Sequence, residues 1–175
     1  MLVTNDKQLA DKAKYLTTQA KDDEVYYIHN EIGYNFRMTN LQAALGVAQL
    51  EQIDKYIDIK RKNFNYYYNN IKDIEGINLI KEPKNTFSNY WMYSLIVDEE
   101  KYGLNRDELL KKLAENKIQT RPVWKLNHTQ KPYLKYQTYK IEKAYDKYEK
   151  ILNIPCSVNL KEEDLKRITR VLKRI

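Results

Sequence analysis

Apolar residues recur at helical spacing in five stretches of this chain, with short runs of branched and aromatic residues between them. Leu2-Val3-Thr4 reads as the end of a strand. Asn5, with Gln8 three residues on, resembles a capping box, and it opens a helix that places Leu9, Ala13 and Leu16 on one face. Residues 17–30 are polar and carry no period; a loop of that length inside a compact domain is more often functional than idle. Thr39 with Gln42 forms the next cap. Leu41, Ala44, Leu45, Ala48, Ile53, Tyr56, Ile57, Phe64, Tyr67, Tyr68 and Ile71 then carry an apolar stripe to about Lys72, as one long helix or two joined by a bend. Gly46 within it costs roughly 1 kcal/mol relative to Ala, which points to close packing against a neighbour.

The pattern changes after Gly76. Ile77, Leu79 and Ile80 lead to Pro83, and residues 88–97 are rich in aromatic and branched side chains, as a strand requires, with Trp91 expected in the core. Asn105 with Glu108 caps a helix through Asn116, and 118–123 reads as a strand whose Pro122 belongs at an edge. Residues 141–152 are helical and 154–158 form a short strand. The last helix starts near Asn159, with Glu162 completing its cap, and buries Leu165, Ile168, Leu172 and Ile175. Alternating helices and strands of this kind define an α/β unit at the end of a larger domain. A strand that opens at the second residue leads us to expect natural sequence upstream of Met1.

With 175 residues, 42% hydrophobic and 31% charged, the chain can bury a core and falls outside the disordered class. The absence of a long apolar run and of a signal-peptide plan predicts a cytoplasmic protein with no membrane partner. One cysteine, Cys156, and two histidines, His29 and His128, make neither an internal disulfide nor a structural zinc set. The net charge of +7 suits an anionic partner. Lysines and tyrosines interleave through Lys131-Pro132-Tyr133-Leu134-Lys135-Tyr136-Gln137-Thr138-Tyr139-Lys140, as in single-strand binders. Acidic residues in the flanks, and the abundance of both residue types everywhere, argue against nucleic acid and leave an acidic surface or a phosphorylated small molecule.

Four glycines supply no Gly-x-Gly-x-x-Gly, no phosphate-binding Walker loop and no nucleophile elbow. One run is specific. Gly33-Tyr34-Asn35-Phe36-Arg37-Met38-Thr39-Asn40-Leu41-Gln42-Ala43-Ala44-Leu45-Gly46 resembles the Gly-Tyr-Asn-aromatic-Arg run of the DegT/DnrJ/EryC1/StrS sugar aminotransferases. Met1-Leu2-Val3-Thr4-Asn5-Asp6 and Thr120-Arg121-Pro122-Val123-Trp124 with His128 agree with the same family in order and spacing. The resemblance implies the C-terminal part of a pyridoxal-phosphate-dependent transferase of fold type I. Residues 1–75 would be the end of the large cofactor-binding domain and a long interdomain helix, and residues 76–175 the small α/β domain.

The resemblance also implies what these residues do. The lysine that holds the cofactor would lie upstream of Met1, so no catalytic residue is assigned within the chain. Asn35 would donate from its amide to the cofactor phosphate of the other subunit of a homodimer, which suits an amide donor; alternatively it serves the turn after Gly33. Arg37 either contacts phosphate or anchors its loop through carboxylates and carbonyls. Tyr34 and His29 are substrate candidates whose plainer roles are packing and surface. Arg121, Trp124, Lys125 and His128 resemble a run near the sugar nucleotide in the branch acting on UDP-linked N-acetylated 4-keto-6-deoxy sugars, where a cation suits a diphosphate and a flat ring a sugar face; the competing reading makes Trp124 a core aromatic and His128 a loop residue. Glutamate is the implied amino donor and surface glycan synthesis the implied setting. A non-catalytic nucleotide-sugar binding or dimerisation module is the alternative.

Overall fold

Asp6, and not Asn5, caps the first helix. Its carboxylate accepts from the Leu9 N–H at 3.1 Å, ahead of α1 (Lys7–Thr17). Asp outcompetes the adjacent Asn here because a carboxylate both caps and favours the positive end of the helix dipole. The computed structural model describes residues 2–23 and 25–173, divided into two compact units, Met1–Gln52 and Ile53–Ile175.

In the first unit Leu2-Val3-Thr4 forms no strand among the described residues. The ordered part is a backbone clasp between the end of α1 and residues 34–36. Tyr34 N–H donates to Leu16 O (2.7 Å), Gln19 N–H to Tyr34 O (3.1 Å) and Phe36 N–H to Thr17 O (3.0 Å), and Thr18 bridges Asn35. Gly33 makes that clasp possible. A Cβ at this position would stand 2.1 Å from Gln19 C and 2.2 Å from Ala20 N, inside backbone that cannot swing aside. The intervening loop is tied by Asp22, whose carboxylate accepts from Tyr15 Oη (2.9 Å) and Asn30 N–H (2.8 Å). Thr39 and Gln42 then form the complete capping box of α2 (Asn40–Leu50). No residue of α1 or α2 is buried, and a Cβ on Gly46 would meet nothing within 4 Å, so the close neighbour expected there is not supplied by this chain's described residues.

The apolar stripe is two helices, since α3 (Ile53–Ile71) begins after a break at Glu51-Gln52. Asn63, Phe64, Tyr67 and Ile71 of α3 are buried, and α3 packs on the last helix and the first strand. The compact unit therefore starts at Ile53, upstream of the change of pattern at Gly76. It continues through β1 (Ile77–Leu79), β2 (Tyr93–Val97), a single turn α4 (Glu99–Tyr102), α5 (Arg106–Glu115), β3 (Arg121–Pro122), α6 (Glu142–Lys150), β4 (Ile151–Ile154) and α7 (Glu162–Leu172). The sheet runs β1-β2-β4-β3 with every neighbour antiparallel, and Pro122 sits on an edge strand, where its missing N–H breaks no ladder.

Period-two alternation sorts the sheet into two faces. Tyr93, Leu95 and Val97 of β2 face the core with Ile77, Leu79, Leu152, Ile154 and the buried residues of α5 and α7. Tyr93 packs edge-on against Phe64 and Tyr67, centroids 5.8 and 5.7 Å away, and Tyr102 Oη donates to Leu172 O at 2.9 Å, so a buried hydroxyl finds its partner.

Several expected boundaries move, each for a visible reason. The strand expected over 88–97 is ordered as strand only from Tyr93, because residues 82–90 are folded into a latch. Arg61 grips Glu82 through two nitrogens (3.0 and 2.7 Å) and Ser88 O (2.6 Å), with Phe87 against its guanidinium at 4.3 Å. Trp91 is 60% exposed and lies outside the core. The sixth helix stops at Lys150 because Ile151 is already paired with Ile96 in the sheet. The last helix begins at Glu162, where Asp164 accepts from the Lys161 N–H (3.1 Å), and not at Asn159. Leu165, Ile168 and Leu172 are buried as expected; Ile175 lies outside the described residues.

Candidate functional site

The clasp of the first unit dictates where Asn35 goes. Residues 34–37 are extended, so successive side chains alternate. Tyr34 and Phe36 share one side, their rings stacked at 5.1 Å and 12°, which leaves Asn35 and Arg37 on the other. There they line a cavity of about 450 Å³ with Lys14, Thr18, Gln19 and Lys21, and with Thr39 and Asn40 at the start of α2. Three cations and three amides converge, and no carboxylate is among the lining residues. A cavity of donors with a helix N-terminus at its rim suits a phosphate dianion. Arg37 makes no ion pair or hydrogen bond among the described residues, so the loop anchor weighed for it is absent and its charge faces the cavity.

Asp22 ties the loop through Tyr15 and Asn30. The Asn30 N–H, and then the Tyr15 hydroxyl, hold its carboxyl below the usual carboxylate range, while partial desolvation and the bond to Asp22 push Tyr15 up to about 12. His29 is exposed; its Nδ1 lies 2.8 Å from Gln19 O and 3.2 Å from Ala20 O, so it ties the loop to the clasp. Tyr34, 52% exposed and stacked on Phe36, turns away from the Asn35 side.

In the second unit Arg121 is on the edge strand β3, paired in register with Asn153, and is exposed. Trp124 is 63% exposed and stacks on Trp91 at 5.7 Å and 21°, which removes the core reading of this residue. Lys125 is exposed. His128 sits in a single 3-10 turn (Asn127–Thr129), edge-on to Tyr145 at 5.3 Å, with its Nε2 buried and without a protein partner among the described residues. Trp91 and Asn153 were not singled out as site candidates from sequence. The legible signal for Asn153 was an amide in the middle of the apolar run Ile151-Leu152-Asn153-Ile154.

The pattern of the DegT/DnrJ/EryC1/StrS aminotransferase family matches residues 1–173. The chain belongs to that family. Over 166 residues it is 39% identical to GDP-perosamine synthase of Escherichia coli O157:H7, covering 94% of this chain and 44% of that protein. Over 176 residues it is 34% identical to EpsN of Bacillus subtilis (strain 168), provisionally named a pyridoxal phosphate-dependent aminotransferase, covering 98% and 45%. Among solved structures, Helicobacter pylori PseC, an aminotransferase involved in pseudoaminic acid biosynthesis, superposes with a TM-score of 0.80 at 23% identity, over 98% of this chain and 47% of that one. That likeness establishes the fold as a mixed α/β part of the family's architecture. The chain spans about half the length of the curated relatives it matches. No helix among the described residues is long and apolar enough to cross a membrane.

Proposed function

We propose that this chain is the C-terminal half of a pyridoxal-phosphate-dependent aminotransferase that works in the cytoplasm as a homodimer. Residues 1–75 close its large domain and supply the linking helix, and residues 76–175 form its small domain. The observation that carries the proposal is the cavity around Asn35, built only of donors and neutral groups and lined by Lys14, Lys21 and Arg37. That donor set fits the phosphate of the cofactor. Pyridoxal phosphate, when bound, supplies the aldehyde and electron-withdrawing ring through which an amino group is carried from donor to ketone.

Within that reaction this chain's residues bind and orient. Asn35 donates from its amide to a phosphate oxygen of the partner subunit's cofactor, and Arg37 and the two lysines balance its charge. Arg121, Trp124, Lys125 and His128 form one wall for the nucleotide sugar. The donor is glutamate and the acceptor the C4 ketone of a nucleotide-linked 4-keto-6-deoxy sugar destined for surface glycan. One relative's name and one run of this sequence bear on the nucleotide: GDP-perosamine synthase supports a GDP-linked sugar, whereas the Arg121-to-His128 run supports the UDP-linked N-acetylated class.

The 175 residues alone are expected to be inactive, because the family resemblance assigns the cofactor-holding lysine to a segment these residues do not include. The test is formation of 2-oxoglutarate from glutamate in the presence of pyridoxal phosphate and either GDP- or UDP-linked 4-keto sugar. No turnover is expected, and turnover by this chain would overturn the assignment of the lysine to another segment. The second reading, a non-catalytic binding or dimerisation module, draws on the exposed Trp91–Trp124 stack and predicts nucleotide-sugar binding with no response to a cofactor phosphate.

A further inference from the structure

The face of the sheet opposite the core carries a polar row. Ser94 of β2 and Arg121 of β3 are each in register with Asn153 of β4, the strand between them, so their side chains project to the same side. Asn153 is 4% exposed, an unusual place for an amide. Only one side of that amide is engaged: Ser94 Oγ–H donates to Asn153 Oδ1 at 2.8 Å, and Nδ2 donates to no protein acceptor among the described residues. The planar amide therefore turns its free N–H groups away from β2. On the β3 side stands Arg121, exposed and without a carboxylate partner among the described residues. The exposed Trp91–Trp124 stack is built from the segments leading into β2 and out of β3, the two strands that flank Asn153.

An amide nitrogen that faces solvent with no protein acceptor among the described residues, beside an unpaired guanidinium, has a definite chemical preference. Both groups donate, neither accepts towards the opening, and together they present a charged fork and a neutral donor to one oxyanion. We infer that Arg121 and Asn153 bind an oxyanion of the substrates, with Ser94 as the positioning residue that fixes the amide's orientation. The inference rests on the reading of this chain as part of a sugar-nucleotide aminotransferase, and it adds Asn153 and Ser94 to the substrate wall. The oxyanion is either the diphosphate of the nucleotide sugar or a carboxylate of the amino donor.

The experiment is a titration of the 175-residue chain, 15N-labelled, with GDP, UDP and glutamate in separate arms, following the Asn153 side-chain NH2 signals. Movement in the nucleotide arms assigns the site to the diphosphate; movement in the glutamate arm assigns it to the carboxylate. Arg121→Gln should weaken the binding that moves these signals about tenfold, as loss of one charge-assisted hydrogen bond does. Ser94→Ala should weaken it by a smaller factor, and Ser94→Thr, which keeps the hydroxyl, should restore it. Asn153 signals that stay fixed in all three arms, or binding indifferent to Arg121→Gln, would overturn the inference. The cofactor-phosphate reading is separately judged at Asn35, in the other unit, so either can fail without the other.

Discussion

Replacing Gly33 by Ala is the perturbation whose consequence the structure states most sharply. The new methyl would sit 2.1 Å from Gln19 C and 2.2 Å from Ala20 N, so the chain around residue 33 has to withdraw from the end of α1. Three backbone hydrogen bonds close that approach, Tyr34 to Leu16, Gln19 to Tyr34 and Phe36 to Thr17. At about 1 kcal/mol net each, opening the clasp is worth about 3 kcal/mol, within the range expected for overpacking into rigid surroundings. Amide hydrogen exchange reads this directly. Protection at Gln19, Tyr34 and Phe36 should fall about a hundredfold in Gly33→Ala, while Leu95 and Leu152 in the sheet keep theirs. Because the same clasp aims Asn35 and Arg37 into the cavity, phosphate affinity should fall with it. Unchanged protection at all three amides would refute the claim that Gly33 is required by close approach.

Three further outcomes follow from other places in the molecule. Gly46→Ala adds a methyl into open space on α2, so it should stabilise that helix by up to about 1 kcal/mol in urea melts; a loss of stability would mean that another surface packs there. Glu82 is held down at about 2, from 4.5, first by Arg61 and then by the Ser88 N–H. A depressed folded-state value stabilises the fold above the unfolded value, and that contribution disappears as pH falls from 4.5 towards 2. Glu82→Gln should therefore flatten the acid limb of a stability-against-pH curve in that window, and an unaltered limb would count against the latch. Tyr67 is fully buried and its hydroxyl has no protein partner among the described residues, so Tyr67→Phe should raise the urea midpoint, by about 1 kcal/mol of stability; a drop would show that the hydroxyl is satisfied.

What could be read from sequence was local and chemically redundant. Thr39 with Gln42 and Asn105 with Glu108 are reciprocal boxes in which two residues name the same helix start, and both occur as expected. Single-residue signals were weaker: Asn5 and Asn159 are good caps, yet Asp6 and Asp164 make the bonds. The 82–90 latch was invisible because Arg61 and Glu82 are 21 residues apart, and an aromatic-rich stretch looks like strand whether it enters the ladder or wraps a guanidinium. Trp91 illustrates the same limit, since an aromatic ring at the start of a strand reads as core until its exposure is seen. Asn35 was legible through the Gly33-to-Gly46 run; its cavity was not, because Lys14, Lys21 and Arg37 converge only after the clasp has formed.

The proposed role of the Asn35 cavity is to receive a cofactor phosphate. Titrating the chain with pyridoxamine 5′-phosphate, and in parallel with pyridoxamine, isolates that group, because neither compound carries an aldehyde to react with surface lysines. The phosphorylated compound alone should shift the Asn35 side-chain NH2 signals and the backbone amides of Arg37 and Thr39, and Asn35→Leu should weaken its binding about tenfold. Equal responses to the two compounds, or no response at Asn35, would contradict it.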